Sequence, residues 1–183
     1  MEIFARWVHP LKVRKDGRLK PSAFRLEDIK AGLLTTYDTK CPEQALSLAD
    51  LSLLTQDNSE ASLKAACKFC EYGRHKKSER WPDNENCDCP YGEYGTKGAL
   101  ASGEALVTSL MDACVVTAHV APDAHPDNPL HALLCFCAKN GPDMDSIDLA
   151  DQIQKTPITA FSRVRPAKEI LVDHLADIIN QHS

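Results

Sequence analysis

Two groups of side chains able to react or to ligate a metal stand close together along the chain. The first is Cys67-x-x-Cys70 followed, 16 residues later, by Cys87-x-Cys89. This is one residue short of the paired CxxC spacing of structural zinc sites. Zinc takes four deprotonated ligands in a tetrahedron. Each close pair can bind through one turn, and the pairs meet when the segment between them folds back. Pro90 and Gly92 permit a tight turn after Cys89, and His75 offers a substitute ligand. The expected cofactor is therefore Zn2+, held by Cys67, Cys70, Cys87 and Cys89, with no position left open for substrate.

The second group lies in residues 119–131, HVAPDAHPDNPLH. It holds His119, Asp123, His125, Asp127 and His131. If the flanking strands pair as an antiparallel hairpin, His119 falls near His131 across the ladder, where opposite Cβ atoms lie about 5 Å apart. Imidazoles with carboxylates can hold a divalent metal and activate water, or act as an acid/base pair. The Asp, Asn and Pro residues are also ordinary turn formers, and no HExxH-type spacing is present.

A third feature is recognition rather than chemistry. Arg74, Lys76, Lys77 and Arg80 stand next to Trp81 inside the cysteine-bounded stretch. Cations beside an aromatic ring suit phosphate contact with base stacking. A second basic run, Lys12 to Lys20, surrounds Asp16-Gly17.

The elements that must position these groups follow from periodicity. Residues 2–8 read as a strand closed by His9-Pro10, and residues 12–20 as a turn of hairpin type. Residues 32–37 read as a short strand. Pro42 suits a first helical turn, with Ala45, Leu46, Leu48, Ala49 and Leu53 following at helical spacing. Ser59 is the expected cap of a helix running to about Cys70. Residues 71–97 break every periodic pattern, and a structureless stretch of that length needs something to hold it; bound metal can do so. Residues 103–111 fit helix or strand. Residues 115–120 and 130–138 read as strands, the second apolar on both faces and so interior to a covered sheet. Residues 145–155 read as a helix. Residues 166–181 read as a closing amphipathic helix with Ile170, Leu171, Leu175, Ile178 and Ile179 inward. Cys114, Cys135 and Cys137 sit in apolar surroundings and read as core.

Together these predict a single α+β domain over residues 1–183. Its sheet is mixed or antiparallel, packed by helices, and residues 67–97 form a zinc-stabilised loop insertion. The chain has 183 residues, 43% hydrophobic and 26% charged, an ordinary globular composition. No uncharged run approaches the ~18 residues of a membrane span. The net charge of −5 argues against a general polyanion binder. Charge is nevertheless split: residues 1–30 carry eight Lys/Arg against four Asp/Glu, and residues 98–154 carry one against eight. The start, MEIFARWVHPLKV, has no secretion-type apolar region, so a cytoplasmic location is expected and its eight cysteines read as thiols or ligands.

No P-loop, GxGxxG, GxSxG or kinase signature occurs, and no family is recognisable from the motifs. The function expected first is a non-enzymatic binding or adaptor subunit with structural zinc, contacting protein or nucleic acid through Arg74, Lys76, Lys77, Arg80 and Trp81. The competing expectation is a metal-dependent hydrolase or nuclease working through residues 119–131. Composition and motifs do not decide whether the chain is an enzyme.

Overall fold

The structure, a computed structural model, describes residues 2–20, 23, 44–66, 96–113, 116–138, 160–162 and 164–181. Six strands form one sheet: β1 (Ile3–Val8), β2 (Gln44–Asp50), β3 (Lys97–Ser102), β4 (Val116–Pro122), β5 (His131–Ala138) and β6 (Arg165–Pro166). Their order is β4-β5-β2-β1-β3-β6, and every neighbouring pair is antiparallel. Among the described residues, three helices longer than a single turn accompany them: α1 over residues 59–66, α2 (Gly103–Ala113) and α3 (Ala167–Gln181). This is the expected α+β architecture, with the sheet antiparallel rather than mixed.

Strand alternation divides the apolar residues between two faces. Phe4, Val8, Leu46, Leu48, Leu134 and Phe136 point to one side, where Leu106 and Leu110 of α2 join them in a buried cluster. Ala5 and Ala49 point to the other, against Ile170 and Leu171 of α3 and against Leu51, Leu54 and Leu130. On that second face, Ala45, Ala121 and Cys135 make a smaller buried cluster. Cys135 is thus a core thiol, as its apolar neighbours predict.

The packing of α3 is close enough to dictate one glycine. A Cβ added at Gly98 would fall on the Trp7 ring and lie 2.8 Å from Ile170 Cδ1. Ile170, Leu171 and Leu175 meet the sheet as their spacing requires, but Ile179 is 54% exposed. At the other end, Arg165 bonds Asp173 at 2.5 Å, and this partner holds the guanidinium pKa above its ordinary value.

The largest departure from the sequence reading is at residues 42–53. These were expected to form a helix, but 44–50 is the strand β2, followed by a short 3-10 turn, Leu51–Leu53. Apolar residues at 45, 46, 48 and 49 satisfy both a helical stripe and a strand covered on both faces. Burial on both sides makes the strand the better solution. Asp50 then closes it, its carboxylate accepting from Ser52 N (2.9 Å) and Ser52 Oγ (2.5 Å).

Other elements match to within a residue or two. The ambiguous 103–111 segment is the helix α2, capped by Ser102 Oγ accepting from Ala105 N at 3.1 Å. The α1 helix begins at the expected place, but its cap differs: the Ser59 hydroxyl donates to the Gln56 carbonyl instead of accepting from the helix. The 12–20 turn is closed by a Val13–Leu19 bridge, with Gly17 at φ 81° supplying the left-handed residue. The predicted elements at 32–37 and 145–155 and residues 71–95 of the unpatterned 71–97 stretch lie outside the described residues, while the last residue of that stretch, Lys97, opens β3. Among the described residues, no helix is long and apolar enough to cross a membrane.

One irregularity bears on the site. β1 pairs with β3 along its whole length, but with β2 only at Phe4–Asp50 and Ala5–Ala49. Past that point β1 and β2 diverge. Arg6, 8% exposed, fills the opening: Nη1 donates to the Ser47 carbonyl at 2.6 Å and Nη2 to the Ala23 carbonyl at 2.9 Å. The guanidinium does there what a ladder amide would otherwise do.

Candidate metal centre in the β4–β5 hairpin

The hairpin register sets what meets what. Pro122 pairs with Ala132, so the next pair outward is Asp123 with His131. The Asp123 amide indeed donates to the His131 carbonyl at 3.0 Å. Beyond it, His125 and Asn128 exchange backbone bonds of 3.2 and 2.9 Å, with Pro126 and Asp127 between them. Proline fixes its own φ and suits the second position of such a turn. The local sequence therefore folds into a tight tip that turns Asp127 out to solvent and leaves Asp123, His125 and His131 together.

The three side chains form one group. His131 Nδ1 lies 2.8 Å from Asp123 Oδ2, and His125 Nε2 lies 3.5 Å from the same oxygen. The imidazole rings are 5.7 Å apart between centroids and tilted by 34°. One ligand atom from each residue lies within 4.8 Å of the others. A tetrahedral centre with bonds of 2.0–2.1 Å places its ligands about 3.4 Å apart. The donor separations bracket that value, so a cation fits after small side-chain rotations.

Burial grades the three. The side chains are 18% exposed at His131, 37% at Asp123 and 60% at His125. His131 is also held at its other nitrogen, where Nε2 meets Ser47 Oγ at 2.8 Å. It is the rigid member, and His125 is the one free to adjust. Among the described residues, three side chains offer donors here; a zinc held by three protein ligands with a fourth position open is of the catalytic rather than the structural kind.

Of the five residues expected in this loop, the structure unites three. His119 is not among them. It pairs with Cys135, whereas His131 pairs with Ala49 of β2 and faces Asp123. The expected meeting of His119 and His131 fails because β4 and β5 run closer to the tip than the loop composition suggests, shifting the register by four positions. Asp127 is exposed at the tip and outside the group.

Ser47 is the residue sequence reasoning missed. With residues 42–53 read as helix, nothing placed it near the hairpin. Once 44–50 is a strand beside β5, the one polar residue within Ala45–Ala49 has to face something able to bond it. The cysteines Cys67, Cys70, Cys87 and Cys89, and the contact residues Arg74, Lys76, Lys77, Arg80 and Trp81, lie outside the described residues.

No protein-family model matches this chain, and neither a curated protein nor a solved structure does.

Proposed function

We propose that this protein is a metal-dependent hydrolase whose metal is held by Asp123, His125 and His131. The observation that carries the reading is the convergence of two imidazoles and a carboxylate on one hairpin, with their ligand atoms within 4.8 Å. Two nitrogen donors and one oxygen donor suit Zn2+ among the common divalent ions. The fourth position would take water, whose proton the metal makes easy to lose at neutral pH. The 60% exposure of His125 leaves that position open to substrate from solvent.

The test is zinc or cobalt binding by the full chain, followed by turnover assays on generic phosphoester and carboxylic ester substrates. Asp123→Asn, His125→Ala and His131→Ala should each lower metal affinity, and activity should follow the metal. Unchanged affinity in all three variants refutes the reading.

The cysteine spacing supports a second metal of a different kind. Within this reading, Cys67, Cys70, Cys87 and Cys89 bind a structural zinc that holds the stretch from Cys67 up to β3 as an insertion in the single domain. Arg74, Lys76, Lys77, Arg80 and Trp81 would then present a contact surface for protein or nucleic acid, as an adaptor subunit would. Cobalt separates the two sites, since only thiolate ligation gives an intense near-ultraviolet charge-transfer band. If cobalt-loaded protein lacks that band, the cysteine site is absent.

A further inference from the structure

We propose that Ser47 is the positioning residue that lets His131 exchange tautomers when the metal enters. The inference rests on the metal reading above and adds a role for a residue outside the ligand set.

His131 has a partner on each nitrogen at the same distance: Asp123 Oδ2 on Nδ1 and Ser47 Oγ on Nε2, both 2.8 Å. A carboxylate only accepts hydrogen bonds. Without metal, a neutral imidazole between these two partners carries its hydrogen on Nδ1, and Nε2 accepts from the Ser47 hydroxyl. A metal bound at Nδ1 requires that nitrogen bare. The hydrogen must then be on Nε2, which donates to Ser47 Oγ. One proton leaves Nδ1 for water and one is taken from water at Nε2, so the imidazole stays neutral.

The partner of Nε2 must consequently accept in one state and donate in the other. A hydroxyl does both by rotating its hydrogen, with its oxygen in place. A backbone carbonyl would serve only the loaded state, and an ammonium only the unloaded one. Metal-bound histidines commonly donate their second N–H to a fixed acceptor, and removing that acceptor costs 10–100-fold in affinity or activity.

The position of Ser47 is fixed from both sides. Ala45 and Ala49, its neighbours on the same face, are buried. Its carbonyl is tied by Arg6 where β1 and β2 separate. A connected line therefore runs from Arg6, on the α2 face, through Ser47 to His131 and Asp123 on the other. Two hydrogen bonds of 2.8 Å in series also describe a serine activated by His and Asp. Against a nucleophilic role, Ser47 lies mid-strand between buried alanines, whereas an attacking hydroxyl needs room for substrate.

The experiment follows the ring-nitrogen NMR signals of His131 in full-length protein during zinc titration against a competing chelator. Wild type, Ser47→Ala and Ser47→Thr are compared, with thermal unfolding as a check on folding. The expected result is Nδ1–H in the metal-free wild type and Nε2–H after zinc. Ser47→Ala should bind zinc 10–100-fold more weakly, and Ser47→Thr, which keeps the hydroxyl, should bind as wild type does. Wild-type affinity in Ser47→Ala, or Nε2–H before zinc is added, overturns the role of Ser47 while leaving the metal centre standing. Wild-type signals that ignore zinc overturn the metal centre and this role with it. Covalent labelling of Ser47 by a serine-directed fluorophosphonate overturns the role in favour of a nucleophile.

Discussion

His131 is the residue on which the site turns, because it joins the hairpin to the sheet interior. Replacing it by alanine leaves Ser47 Oγ and Asp123 Oδ2 without their 2.8 Å partner. We predict a stability loss of about 1–3 kcal/mol, the usual cost of stranding partly buried polar groups, together with loss of zinc binding at the hairpin. His125 makes the contrasting case. It is 60% exposed, so His125→Ala should shift stability by no more than about 0.5 kcal/mol while still weakening zinc. His119→Ala should leave zinc affinity as it is, because His119 lies across from Cys135 and not from the metal group. Titrating the three variants with zinc and melting each one checks all three statements. Asp123, His125 and His131 were legible in the sequence because they crowd one short loop. His119 and Asp127 crowd it equally, and only the register separates them from the ligands.

Two elements carry predictions of their own. Arg6 substitutes for ladder bonds where β1 leaves β2, and Arg6→Met would strand the Ser47 and Ala23 carbonyls. We expect destabilisation on the order of 3 kcal/mol, read from chemical denaturation. Gly98→Ala would drive a methyl into Trp7 and Ile170, and should lower stability by roughly 1–3 kcal/mol as overpacking does. A melting temperature equal to wild type would contradict the close approach of α3 to β3. The strands β1, β4 and β5 and the helix α3 were legible because each has one dominant period or a continuous apolar run. β2 was not, since Ala45, Leu46, Leu48 and Ala49 satisfy a helical stripe as well as a strand buried on both faces. That ambiguity hid Ser47 as well, because a residue's neighbours across a sheet depend on assigning its strand.

At the scale of the molecule, the charge split acquires a geometry. β1 leads from the level of the metal hairpin, where Ala5 is opposite Ala49 and Ala49 opposite His131, toward the basic turn closed by Val13 and Leu19. Leu19 and Val13, which close that turn, pack in or against the buried cluster on the α2 face of the sheet, whereas His131 and Asp123 lie on the other face. A basic surface on one face would orient an anionic partner without crowding the proposed metal group on the other. For the proposed contact residues, charge reversal at Arg74, Lys76, Lys77 and Arg80 should flatten the salt dependence of nucleic-acid binding. Each lost phosphate contact lowers the log–log slope by about 1, and an unchanged slope would remove those residues from the interface.

The central claim is that a metal sits between Asp123, His125 and His131. An anomalous difference map at the zinc edge, from zinc-loaded crystals of the full chain, tests it directly. A peak is expected about 2.0–2.1 Å from His125 Nε2, His131 Nδ1 and Asp123 Oδ2. A map with zinc only at cysteine sulfurs, and none at the hairpin, would contradict it.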